Sequence, residues 1–151
     1  MVENASGAII DNKIFMVTVY VWVIAQAIKF ILGVFREKRI NFRWFIRSGG
    51  IPSSHAAGVT AMATACGLQE GFASVAFALA AVFALVIMFD AQGVRRAAGQ
   101  QAAILNQIVD DIYAHQPIKP EQLFELIGHT PIQVFIGAIL GASLALLFYC
   151  L

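Results

Sequence analysis

Gly49-Gly50-Ile51-Pro52-Ser53-Ser54-His55, running into the small-residue stretch Ala56–Leu68, is the part of this chain on which its reading turns. Two glycines let the backbone bend and approach a ligand closely. Pro52 halts any helix before it, and Ser53 or Ser54 can cap a helix that starts near His55. The N–H groups of that first turn then point at one spot, where a helix carries roughly half a positive charge suited to phosphate. His55 adds a group that gives or takes a proton near neutral pH. Together these residues read as an anion cradle.

Outward from the cradle the chain is built for lipid. Of its 151 residues 60% are hydrophobic and 13% charged, and the mean hydropathy is +0.77. That is too apolar for a water-soluble domain of this size. Ile14–Phe35 gives about 22 positions interrupted only by Gln26 and Lys29, enough for a helix to cross roughly 30 Å of hydrocarbon. His55–Leu68 is a shorter apolar run with Ala56, Ala57, Gly58, Ala61, Ala63, Ala65 and Gly67, which implies close helix packing. Phe72–Phe89 carries no charge and ends on Asp90. Pro131–Leu151 is a last apolar run, whose Gly137 and Gly141 form a small-xxx-small pair. The expectation is an all-α integral membrane helical bundle of about four transmembrane helices, one domain over residues 1–151.

Between these runs, Val94, Ala97, Ala98, Leu105, Ile108, Val109 and Ile112 recur at helical spacing, so Gly93–Tyr113 reads as an amphipathic helix that lies in the interface or caps the bundle. Residues 114–128 read as a polar connection with a short helix around Glu121–Ile127. Eight of the ten Lys and Arg fall in residues 36–54 and 90–130, which this topology puts on one side. The positive-inside tendency makes that side cytoplasmic. Basic residues between apolar runs do not suit nucleic acid. Cys66 and Cys150 suggest neither a disulfide nor a thiolate metal site, and the acidic start with Glu3 and Asp11 does not read as a removable signal peptide.

Gly49–His55, Asp90–Asn106 and Gly128-His129-Thr130-Pro131 all fall at helix ends on that same side and can meet. Two histidines, several cations and a helix N-terminus around one cavity are the inventory for phosphoryl transfer through a histidine nucleophile. Simpler readings stand beside this one. His129 can cap the last helix, Lys29 can snorkel to the headgroups, and Arg36 with Lys38, Arg39 and Arg43 can serve as headgroup and topology residues. Arg95 and Arg96 open an amphipathic helix at the end where cations are unfavourable, which calls for a compensating anion. Asp90 can orient a histidine or arginine, and Asp110-Asp111 reads as a solvated pair rather than a metal site.

Pro52-Ser53-Ser54-His55 resembles the Pro-Ser-Gly-His signature of type 2 phosphatidic acid phosphatases. Gly128-His129-Thr130-Pro131-Ile132-Gln133-Val134 resembles their Gly-x-His-x-x-x-Asp-Val signature, and Lys29 with Arg36 keeps a Lys-x6-Arg spacing, with Glu37 where a proline is usual. The set of Gly-Gly-Ile-Pro-Ser-Ser-His, Asp90, Gly93-Val94-Arg95-Arg96-Ala97-Ala98-Gly99 and Gly-His-Thr-Pro is most similar to the divergent branch of acid phosphatase/vanadium-dependent haloperoxidase-related proteins. The resemblance implies His129 as nucleophile and His55 as the acid and base. It implies phosphate contacts from Lys29, Arg36, Arg47, Gly50, Ser53, Ser54, Arg95 and Arg96, orientation by Asp90 and Gln133, and no metal or other cofactor. Leu123 stands where the signature has an arginine and Gln133 where it has an aspartate.

These residues lead to the expectation of a metal-independent membrane phosphatase that cleaves a phosphomonoester or pyrophosphate of a lipid or isoprenoid. The alternative is a binding or transport protein for phosphorylated lipids that has lost turnover. Four spans are fewer than the six helices typical of the resembled family, which suggests a homodimer.

Overall fold

The structure, a computed structural model, describes residues 7–38, 40, 50–113 and 128–150, without the side chains of 94–96, 111 and 113. Arg47, Leu123 and the short helix expected at 121–127 lie outside the described residues. After a helical turn at residues 7–10 come α1 (Lys13–Glu37), α2 (Ser54–Glu70), α3 (Val75–Gln92), α4 (Val94–Tyr113) and α5 (Pro131–Cys150), and the described residues hold no strand. Each apolar helix starts on a side-chain cap. Asn12 accepts from the Phe15 N–H at 3.0 Å, Ser53 from the Ala56 N–H at 3.3 Å and Ser74 from the Phe77 N–H at 3.1 Å. At α5, Thr130 and Gln133 cap each other's backbone: the Gln133 N–H donates to Thr130 Oγ1 at 3.4 Å and the Thr130 N–H to Gln133 Oε1 at 3.1 Å. This is a capping box with Pro131 at the first helical position, where its missing N–H costs nothing.

Helices α1 and α5 and the run Val75–Asp110 are long and apolar enough to cross a membrane. Helix α2 is different. Its 17 residues rise only about 25 Å, less than the hydrocarbon thickness, and it is the centre of the bundle, packed by α1, α3 and α5. Small residues make this possible. Ala56, Ala57, Gly58, Ala61, Ala63, Ala65 and Gly67 are all buried on α2. Facing them, α5 presents Gly137 and Gly141: a Cβ at 137 would run into the Ser53 carbonyl, and one at 141 into the Ala57 carbonyl and the Thr60 hydroxyl. The Thr60 hydroxyl lies 2.7 Å from the Ala56 carbonyl in its own helix and 3.2 Å from the Ala138 carbonyl on α5, a polar contact across the interface. On the other side, α1 buries Val17, Val21, Ala25, Lys29 and Gly33, one row spaced by four.

The large apolar side chains face outward. Trp22, Ile31 and Phe35 on α1, Leu79, Val82, Val86 and Phe89 on α3, and Ile132, Phe135 and Leu147 on α5 are exposed. A surface this apolar is incompatible with water and natural in lipid. Gly93 marks the junction of α3 and α4, donating to the Phe89 carbonyl and accepting from the Ala97 N–H, both at 2.9 Å. Among the described residues α4 packs against α3, and its Ile104, Leu105, Ile108 and Ile112 are exposed.

Candidate active site

Helices α2 and α5 begin at the same end of the bundle, where α1 and α3 finish. The Ser53 N–H donates to the Gln133 carbonyl at 3.2 Å, joining the first turns of α2 and α5. The His129 N–H donates to the Ala91 carbonyl at 3.0 Å, pinning the segment that leads into α5 to the last turn of α3. Ala56, Ala91 and Val134, with Met88 against them, fill the space beneath. This packing brings two histidines from distant parts of the chain together. The ring centroids of His55 and His129 are 6.2 Å apart and steeply inclined. His129 is only 1% exposed and His55 half-buried.

Gln133 determines which nitrogen of His129 can react. Its Oε1 accepts from the Thr130 backbone N–H at 3.1 Å and lies 3.2 Å from His129 Nδ1. A backbone N–H can only donate, so that amide atom is an acceptor, and Nδ1 must carry the proton it shares with it. In the neutral ring the lone pair then sits on Nε2, a buried atom. Thus one glutamine completes the helix cap and sets the tautomer of a potential nucleophile. The helix cap itself is Thr130, not His129.

Lys29 is buried at 2% exposure and its Nζ is 3.5 Å from Ser54 Oγ, so its ammonium points into the bundle at the start of α2 rather than snorkelling outward. Ser53 and Ser54 are both buried. With its oxygen accepting from the Ala56 N–H, Ser53 keeps a hydroxyl proton to donate. The first turns of α2 and α5 and the Lys29 ammonium therefore all place positive charge near the two imidazoles, the electrostatics of an anion site.

The remaining candidates divide. Gly50, at φ 93°, holds a left-handed backbone that glycine adopts without strain, at the start of the described part of the cradle. Asp90 is half-buried in the last turn of α3, next to the Ala91 that receives the His129 N–H. Arg36 is exposed on the last turn of α1, about 10 Å along the helix from Lys29, and is not brought into the buried cluster. Arg95 and Arg96 stand in the first turn of α4, with their side chains outside the description, as is the whole of Arg47. Among the described residues no three His, Cys, Asp or Glu side chains gather as metal ligands. Three contributors escaped the sequence reading: the Ala91 carbonyl, Thr130 and Thr60. The spacing Thr130-Pro131-Ile132-Gln133 is itself a readable capping signal.

The pattern described as "Divergent PAP2 family" matches residues 10–144, which takes in both histidines, Lys29 and every apolar helix. The chain belongs to the divergent PAP2 family. A relative from Bacillus subtilis (strain 168), described as uncharacterized membrane protein YuiD, is 39% identical over 135 residues, covering 82% of this chain and 85% of its own. No solved structure matches the chain at a significant level. Membership in this family, with a membrane-protein relative, makes the chain a membrane protein of a phosphatase-related family.

Proposed function

We propose that this divergent PAP2 protein is a membrane phosphatase acting on a phosphomonoester or pyrophosphate of a lipid or isoprenoid. The observation that carries the reading is the pair of imidazoles 6.2 Å apart, one of them held by Gln133 with its proton on Nδ1. In this scheme Nε2 of His129 attacks phosphorus, an N–P bond forms and the P–O bond to the lipid breaks. His55, protonated, gives its proton to the departing lipid oxygen. His55 then takes a proton from water, whose oxygen attacks the phosphohistidine, and inorganic phosphate leaves with His129 restored. Lys29, Ser53, Ser54 and the first-turn N–H groups hold the phosphoryl oxygens, joined by Arg47, Arg95 and Arg96. The scheme draws on side chains and backbone N–H groups alone.

A site at the rim of a lipid-embedded bundle suits a substrate that does not leave the bilayer. The eight Lys and Arg in the segments 36–54 and 90–130 support a site on the cytoplasmic side of a cell membrane, and a second copy completing the bundle is expected as a homodimer in lipid nanodiscs. Purified protein is expected to release phosphate from long-chain lipid or isoprenoid phosphates, with His129→Ala and His55→Ala each lowering the rate about a thousandfold. Turnover unaffected by both substitutions rejects the reading. A neutral Gln133 beside His129 favours one other reading, a phosphorylated-lipid binder; tight binding with no turnover at any substrate establishes that instead.

A further inference from the structure

A groove opens on the bundle's lipid-facing side between α1, α2 and α3. Thr18, Val19 and Trp22 form one wall, Phe83 and Ile87 the other, and Gly58, Val59 and Met62 the floor, with His55 at its upper end. Its volume is about 370 Å³, and its lining is apolar apart from the imidazole at the mouth and Thr18, whose hydroxyl donates to the Ile14 carbonyl of its own helix at 2.8 Å. The groove follows the helix axes: from His55 to Met62 the floor descends about 10 Å away from the charged end of the bundle toward the middle of the membrane. One residue, His55, therefore belongs to both the anion site and the groove.

We infer that this groove receives the first part of a single hydrocarbon chain of a lipid phosphate whose phosphoryl group lies between His55 and His129. The inference rests on the proposed function and adds where the tail runs. An amphiphile with an anionic head and an apolar chain has the polarity pattern of the His55 end and groove taken together, in the same order and along the membrane normal. Gly58 sets the depth. A Cβ there would rest against Trp22 at 3.7 and 3.8 Å, ordinary contact, so alanine is accommodated, whereas a longer side chain extends into the groove. A second apolar groove of about 570 Å³, between α3 and α5, is lined by Leu85, Phe89, Phe135 and Ala138 among others but contains neither histidine.

The test uses the full chain in phosphatidylcholine nanodiscs with hexadecyl phosphate carrying a diazirine within its first ten carbons. Photolysis is expected to label Trp22, Val59, Met62 and Phe83, and unlabelled hexadecyl phosphate to compete. Gly58→Ala leaves the labelling in place, Gly58→Leu reduces it about tenfold or more, and Ala138→Leu, in the other groove, does not change it. Labels spread over all lipid-facing helices, or concentrated at Leu85 and Phe135, overturn the assignment. Phosphate release from the same probe separates the two claims. Release with scattered labels removes the groove and keeps the phosphatase; focused labels without release remove the phosphatase and keep the groove.

Discussion

The two ends of the bundle treat polar groups in opposite ways. At the end where α2 and α5 begin, Lys29, Ser53, Ser54 and His129 are buried and bonded to one another or to backbone. At the other end, Tyr149 donates to Gln69 at 2.9 Å in an exposed pair, exposed Lys13 lies 6.0 Å from the Tyr149 ring, and Glu70 is exposed. An aromatic with a cation at a helix end is how membrane proteins anchor at the headgroups, and it costs little. Burying an ammonium and an imidazole costs several kcal/mol unless something compensates. The contrast teaches that one end meets the headgroups with exposed side chains, while the other gathers Lys29, Ser53, Ser54 and His129 in the interior, the cluster on which the proposed anion site rests.

Replacing Lys29 by Met keeps the volume and removes the buried charge, and so tests that contrast most strongly. We expect kcat/KM to fall about a hundredfold while the melting temperature holds or rises. A lower melting temperature with unchanged kcat/KM would make Lys29 a structural residue and erase the difference between the ends. Next in size is Gly137→Ala, where the new methyl meets the backbone of Ser53 and forces α2 and α5 apart. A loss of about 1–3 kcal/mol in detergent unfolding is expected. Gly67→Ala, at the far end, first meets the ring of exposed Phe72, a side chain that can swing away, so its cost is smaller; equal losses would contradict the account.

Gln133→Glu preserves the two hydrogen bonds accepted at Oε1 and adds a full negative charge beside the His129 imidazolium that forms as the reaction proceeds. Turnover is expected to rise about tenfold, read from initial rates of phosphate release. A fall would mean that the neutral amide is tuned for binding. Tyr149→Phe should do least: less than about a twofold change in turnover and no more than about 1 kcal/mol in stability. A large loss of activity there would break the separation of the two ends.

Much of this arrangement was legible in the sequence. The apolar lengths gave the helices, Pro52-Ser53-Ser54-His55 gave the start of α2, and the placement of loops put the two histidines at one end. Lys29 was ambiguous because hydropathy says only that a cation lies within a span, not which way it faces. Its direction was nonetheless encoded in the row Val17, Val21, Ala25, Lys29 and Gly33, whose small members mark the face against α2. The central position of α2 was half visible: its shortness and small residues implied close packing, but not that three helices would enclose it. The Ala91 carbonyl was invisible, since any residue supplies one and only the tertiary path brings it to His129. Phe72 fell outside α3 because Ser74 caps that helix two residues later, a start signal that hydropathy overlooks.

The central claim is that His129 becomes phosphorylated on Nε2, and trapping that adduct tests it most directly. Rapid alkaline quenching of the unaltered protein during turnover of a lipid phosphate, followed by mass spectrometry, should find an acid-labile phosphoryl group on His129. The group should be absent from the His129→Ala protein. Phosphate release by the unaltered protein with no phosphoryl group on His129 at any time point would contradict the account.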